Sequence, residues 1–191
     1  MQRRWLGLAL VPLLLGGCGY NRIQQMDEAV NRAKQDIAVQ LQRRADLIPN
    51  IVATVRGYAA HEEEVFTNVA NARAALGGAI QTGDPEQMAA ANQQLTGALG
   101  RLLVIAEAYP QLKADQQFLR LQDELAGTEN RIAVARQDYN QRVNEYNSYI
   151  RTFPQTLTAR AIGAEQREYF EVLDASAERA PTVDFKTPPS P

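Results

Sequence analysis

The stretch FLRLQDELAGTENRIAVARQDYNQRVNEYNSYI, Phe118 to Ile150, decides the fold. It places Phe118, Leu121, Leu125, Thr128, Ile132, Ala135, Tyr139, Val143, Tyr146 and Ile150 at steps of three and four, and only the step from Tyr139 to Val143 breaks the alternation. Such a seam predicts a long helix packed against other helices. If it runs from about Ala114 to Ile150 it is ~55 Å long, at 1.5 Å per residue. Phe153-Pro154 ends it, because proline disfavours helical backbone in the residue before it.

A second stripe lies upstream: Ile23, Met26, Val30, Ala33, Ile37, Leu41, Ala45, Ile48, Val52, Val55 and Tyr58. It contains Pro49, and a proline inside a helix removes one backbone bond at a cost of ~3 kcal/mol. The pattern predicts a bend near Ala45 to Pro49, with the helix resuming to about Leu76. Gly77-Gly78 and Thr82-Gly83 then mark a loop. Asp84-Pro85-Glu86-Gln87 is a start signal, with an N-cap aspartate, proline at the first helical position and glutamine three residues after the cap. Met88, Ala91, Leu95, Leu99, Leu102 and Ala106 give one face of the helix that follows, ending near Tyr109-Pro110. The short connections predict three antiparallel helices. A weaker fourth element between Thr156 and Glu178 reads as two short helical pieces divided at Gly163. The fold class is therefore all-α, an elongated bundle of three long helices plus a short C-terminal element. In the proline-rich tail from Pro181, Val183 and Phe185 are candidates to dock on the bundle.

Working outward to the N-terminus, Arg3 and Arg4 precede an apolar run from Trp5 to Leu15 of about eleven residues, whereas a bilayer crossing needs ~20. A basic start, a short apolar middle and small residues at its end describe a secretory signal peptide. Leu15-Gly16-Gly17-Cys18 resembles the bacterial lipobox, which implies cleavage after Gly17 and a lipid on Cys18, the only cysteine. The competing reading is an uncleaved anchor continuing into the next helix, but Tyr20, Asn21, Arg22, Gln24 and Gln25 follow at once. The expected domains are a signal peptide over 1–17, one helical domain over 18–180 and the tail over 181–191. Gly19 after the cysteine favours the periplasmic face of an outer membrane, if the source has one.

The chain carries 20 basic and 22 acidic residues. Loss of residues 1–17 removes Arg3 and Arg4 and leaves a formal charge of −4. No basic patch stands out to hold a polyanion, so nucleic acid is not an expected partner. The 174 residues after the cleavage point suit one domain with a real core.

Several blocks together resemble the LemA family: QLQRRADLIPNIV (40–52), VRGYAAHEEEVF (55–66), AYPQLKA (108–114), LQDELAGTENRIAVARQDYNQRVNEYN (121–147), and Phe153-Pro154. The resemblance covers Tyr20 to about Phe185. It implies an elongated helical bundle on an N-terminal membrane anchor and no known reaction, with one branch tied to formation of magnetosome membranes. This sequence departs from the family pattern at its start, where a lipobox stands in place of the usual spanning helix. The blocks mark Arg43, Arg44, Asp46, Pro49, Asn50, Gly57, Tyr58, His61, Glu62, Tyr109, Pro110, Glu129, Arg136, Tyr139, Asn140, Tyr146, Asn147, Phe153 and Pro154 as family-motif positions without an assigned role.

Chemistry is sparse among these residues. His61 precedes three glutamates, yet no second histidine follows four residues on, so the zinc-protease pattern is absent and a solvated patch is the simpler reading. Arg43, Arg44 and Asp46 sit beside the proline, where freed carbonyls need donors. Arginine side chains or Asn50 are expected to satisfy them and to pair with Glu124 or Glu129. The heptad-spaced Tyr139-Asn140 and Tyr146-Asn147 place two tyrosines on the seam with their hydroxyls at its edge. A small-molecule pocket there is open but not required by the spacing. No nucleophilic triad or glycine-rich phosphate loop is present, and no metal or cofactor is expected. The sequence thus predicts a non-enzymatic envelope lipoprotein held by its lipid. Helix surface along Arg56 to Arg73 would recruit an envelope protein or a second copy. The alternative is an envelope enzyme subunit, or a small-molecule or metal binder, using Arg44, Asp46 and His61.

Overall fold

The structure is a computed structural model that describes residues 3–171, with side chains from residue 19 onward. Six helices follow in order: α1 (Arg3–Arg56), α2 (Glu63–Thr82), α3 (Pro85–Ala108), α4 (Pro110–Lys113), α5 (Gln116–Arg151) and α6 (Gln155–Ala161). Among the described residues the chain is all-helical apart from its connections and an extended run over 164–171, as the heptad pattern predicts.

The seam of α5 is buried at Phe118, Leu125, Thr128, Ile132, Tyr139, Val143, Tyr146 and Ile150, and Leu121 and Ala135 pack against its edge. It lies antiparallel along α1, whose Ile23, Val30, Ala33, Ile37, Leu41, Ala45, Ile48 and Val55 are buried, and this is the most extensive helix pairing in the molecule. Asp115 caps α5, its carboxylate accepting from the N–H groups of Gln117 at 2.8 Å and Phe118 at 2.9 Å. Asp84 does the same for α3, and Gln87 Nε2 returns a bond to it at 2.8 Å. Two donors orphaned at each helix start are thereby satisfied.

Three expectations are corrected. The upstream stripe is not one bent helix reaching Leu76. Helix α1 passes through Pro49 and ends at Arg56, the chain reverses over 57–62, and α2 returns antiparallel to α1. An unbroken helix from Ile23 to Leu76 would be ~80 Å long and would overhang the ~54 Å of α5, stranding Phe66, Val69, Ala72 and Leu76 without a core. Folded back, all four are buried, and α2 packs chiefly on α3. The bundle therefore has four principal helices, α1, α2, α3 and α5.

Second, Gly77 and Gly78 lie inside α2; the loop is confined to Gly83 and Asp84, with Gly83 in the left-handed region at φ 67°. Third, the piece expected after Gly163 is not helical over its described residues, 164–171. Helix α6 closes at Gly163, φ 68°, where Ala164 N–H reaches back to Ala159 O at 2.9 Å and Gly163 N–H to Arg160 O at 3.3 Å. This is a glycine-terminated helix end, and the left-handed residue aims the chain away from the helix axis. Residues 164–171 are extended, Phe170 is buried, and the remainder of the expected second piece and the docking of Val183 and Phe185 lie outside the described residues.

Candidate functional site

Most of the motif residues whose side-chain bonds are resolved fall in two regions, a polar layer halfway along the bundle and a strap at its C-terminal end. The layer is centred on Arg44, which is 2 % exposed. Its Nη1 donates to Asn92 Oδ1 of α3 at 2.5 Å, and its Nη2 to Thr96 Oγ1 at 3.1 Å and to Glu129 Oε1 of α5 at 2.5 Å. Thr96 Oγ1 donates to the Asn92 carbonyl at 3.0 Å. Burial lowers the Arg44 pKa, and the Glu129 carboxylate opposes that shift. The guanidinium thus joins three helices, although its Nε is buried without a partner. Beside it, Arg43 faces Glu124 at 3.7 Å in an exposed pair.

Pro49 has no N–H, so the carbonyl four residues earlier, that of Ala45, loses its helical donor. Arg73 of α2 supplies one: its Nε donates to Ala45 O at 2.9 Å. This stitch draws α2 into the layer. Arg73 lies outside the motif blocks, and nothing in its spacing singles it out. Asn92 and Thr96 were also missed, because polar residues beside an apolar stripe read as its solvated edge. Asp46 points to solvent, where its Oδ1 accepts from Gln42 Nε2 at 2.8 Å. Exposed Asn50 contributes its carbonyl to Thr54 Oγ1 at 2.8 Å.

The structure does not bring Arg44, Asp46 and His61 together. Residues two apart on a helix point ~200° from one another, and ten residues of helix, ~15 Å, separate Asp46 from the last residue of α1. His61 is exposed in the reversal, with Glu62 at the start of α2. In that reversal exposed Tyr58 donates through its hydroxyl to Asp115 Oδ2 at 3.0 Å, tying Gly57-Tyr58 to the start of α5. The bond to Phe118 N–H, and then that from Tyr58, hold the Asp115 carboxyl below its usual range; the same contact raises the Tyr58 pKa. Tyr109 and Pro110 form the joint between α3 and α4. Among the described residues no group of three His, Cys, Asp or Glu side chains could hold a metal ion.

The strap is residues 164–171, lying antiparallel along α5. Asn147 binds the backbone of Arg167 from both sides, Nδ2 donating to its carbonyl at 2.9 Å and Oδ1 accepting from its N–H at 2.8 Å. Asn140 treats Phe170 identically, at 3.1 Å and 2.8 Å. Seven helical residues rise ~10.5 Å and three extended residues span ~10 Å, so a heptad of asparagines matches a three-residue step of strand. The Tyr139 hydroxyl donates to Glu168 O at 2.8 Å, and burial pushes the Tyr139 pKa up to about 12. Burial likewise raises the Tyr146 pKa. Arg136 stacks over the Phe170 ring at 5.6 Å. Arg167 forks onto Asp27 Oδ1 of α1, Nη2 at 2.6 Å and Nε at 2.9 Å, a contact that raises its pKa. Behind Arg167 a recess of about 310 Å³ opens between Ile23, Asp27, Tyr146 and Gly163. Phe153 and Pro154 stand exposed at the end of α5, and Cys18 lies in α1, ahead of the described side chains.

A family model described as the LemA family matches residues 33–185, which take in both the layer and the strap. The chain belongs to the LemA family. Among its relatives are Magnetosome protein MamQ 2 and Magnetosome protein MamQ 1 of Paramagnetospirillum magneticum, each 27 % identical over 175 residues, covering 80 % of this chain and 64 % of the relative. Magnetosome protein MamQ of Magnetospirillum gryphiswaldense is 28 % identical over 174 residues, covering 79 % and 64 %. This LemA-family chain thus spans less than two thirds of the length of these relatives, and their names specify no reaction.

Proposed function

We propose that this LemA-family protein is a membrane-anchored envelope lipoprotein, acylated at Cys18, that acts as a non-enzymatic scaffold or adaptor for other envelope proteins or for a second copy. The observation that carries the reading is the use made of Arg44. Its charge is spent on Asn92, Thr96 and Glu129 between helices, and the two tyrosine–asparagine pairs serve the strap and the core. Motif residues committed to holding helices in register leave a rigid rod whose product is its surface.

Family membership and the kinship with magnetosome proteins support a membrane setting. Among the described residues no helix is long and apolar enough to cross a membrane, and the lipobox-like Leu15-Gly16-Gly17-Cys18 supports attachment through a lipid. From Gly19 to Arg56, α1 rises ~55 Å, which puts the exposed positions along Arg56 to Arg73 far from the anchor and free to meet a partner. Several acyl chains make that attachment permanent, where one alone would be marginal.

The test is crosslinking in living cells with recovery of the wild type and of Cys18→Ala, alongside membrane fractionation. A defined set of envelope proteins enriched only with the lipidated form, in the outer-membrane fraction of a Gram-negative source, is the expected result. Recovery of no reproducible partner from either form, together with stoichiometric metal or turnover that His61→Ala abolishes, would replace the scaffold with an enzyme or metal-binding subunit.

A further inference from the structure

Ten large hydrophobic side chains are exposed among the described residues, and four of them gather at one end of the rod. Phe153 is 76 % exposed, Leu157 59 %, Tyr20 46 % and Ile162 37 %. The antiparallel register of α1 and α5, in which Arg44 meets Glu129 and Tyr58 meets Asp115, puts Phe153 level with Tyr20. Helix α6 packs across the same place, where a Cβ built on Gly19 would lie 3.5 Å from Thr158 Oγ1. Ala159 is the buried face of α6, and Leu157 and Arg160 point to solvent.

Charge at this end differs from the rest of the chain. Residues 19–26 and 149–164 contain Arg22, Arg151 and Arg160 and no aspartate or glutamate, in a protein whose acidic residues outnumber its basic ones. All three arginines are exposed, and none forms an ion pair with a described carboxylate. Immediately N-terminal, in the same helix α1, lies the apolar run Trp5 to Leu15.

We infer that this base is a membrane-contact surface, which seats Phe153, Leu157, Tyr20 and Ile162 in the interface of an anionic bilayer and holds the rod upright. The occupant follows from continuity and charge. The patch adjoins the segment that brings the chain to the membrane, and uncompensated arginines around exposed apolar groups match anionic headgroups over acyl chains. Tyrosine and arginine suit that depth, each with an apolar body and a polar tip. A lipid on Cys18 alone would be a swivel; the base converts it into a fixed posture. The inference rests on the membrane-anchored reading for which end meets the bilayer, and it holds whether the chain is acylated or anchored by an uncleaved N-terminus.

The test uses the full chain purified from membranes and reconstituted into vesicles of phosphatidylethanolamine and phosphatidylglycerol whose acyl chains are brominated near the headgroup. Phe153→Trp, Leu157→Trp and Val104→Trp are compared, with the unsubstituted protein reporting any contribution from Trp5. Val104 is an exposed apolar side chain near the far end of α3 and serves as the distal control. Bromine should quench the tryptophans at 153 and 157 strongly and leave that at 104 unchanged, and the two basal signals should weaken when phosphatidylcholine replaces the anionic lipid. Equal quenching at all three positions would mean that the rod lies flat and would overturn the inference. So would quenching at none of them. Intact mass of the same samples separates this from the lipid: a chain still beginning at Met1 overturns acylation, while the tryptophans continue to report on the base.

Discussion

Pro49 and Gly57 lie eight residues apart within the span of one apolar stripe, both on its exposed side, and α1 runs through the first and ends just before the second. Proline carries the larger intrinsic helix penalty, ~3 kcal/mol against ~1 for glycine. Yet the proline is inside. At Pro49 a neighbour replaces the lost donor, Arg73 Nε on Ala45 O, and Ile48 and Ile51 on either side are buried. At Gly57 the N–H groups of Tyr58 and Ala59 both turn back to Val55 O, and buried Ala59 closes the end of the core. A helix in this bundle ends where its next turn has nothing left to cover, not where its local propensity is weakest.

The largest test of that contrast falls on the layer that makes the proline tolerable. Glu129→Ala leaves the Arg44 guanidinium buried without its counter-charge and should lower stability by about 2–4 kcal/mol, less than for a fully buried pair because the Glu129 side chain is 42 % exposed. Arg44→Met removes the buried charge and keeps much of the stem, so it should cost clearly less. Urea denaturation with an unchanged m-value measures both, and equal losses would show that the layer is held by packing rather than by charge. Next in size is the proline itself. Pro49→Ala restores an N–H beneath Ala45 and should stabilise by roughly 1–3 kcal/mol. Arg73→Ala in the natural background should cost about 1–2 kcal/mol by stranding that carbonyl, and far less once residue 49 is alanine. A double-mutant cycle without coupling would break the comparison.

The same two positions explain what the sequence disclosed. The Phe118–Ile150 seam was legible throughout because one helix kept one face against one core. The division between α1 and α2 was not, since Val55 and Tyr58 before the turn and Phe66, Val69, Ala72 and Leu76 after it keep helical spacing on both sides. Pro49 drew attention away from residues 57–62, where the stripe divides. In the layer, Arg44 and Glu129 were recognisable as motif residues, while Asn92 and Thr96 were hidden because a polar residue beside a stripe looks the same whether it faces water or a buried guanidinium. Asn140 and Asn147 announced themselves by spacing. Their partner did not, because residues 164–171 offer backbone rather than any side-chain period.

The smallest effect belongs to the turn. Tyr58→Phe removes one of the bonds holding the Asp115 carboxyl below its usual range, so carbon-detected NMR should find that carboxyl titrating at higher pH in the variant. A depressed carboxyl contributes stability above its unfolded value and loses it as pH falls through the folded one. Wild type and variant should therefore melt differently near neutrality and converge in acid. A difference that persists unchanged into acid would assign the contact to packing and leave the turn without an ionic tie.

Asp27 and Arg167 are separated by 140 residues of chain. A ribosome adds roughly 5–20 residues per second, so roughly seven to thirty seconds pass between the emergence of the first and the arrival of the second. For most of that interval, from the completion of α1 at Arg56 to that of α5 at Arg151, α1 has its stripe made and its principal mate unsynthesised or incomplete. Biogenesis of this rod is consequently a waiting problem: its first helix must be kept from aggregating until α5 arrives to cover it, and fragments truncated before α5 should be cleared rather than accumulate.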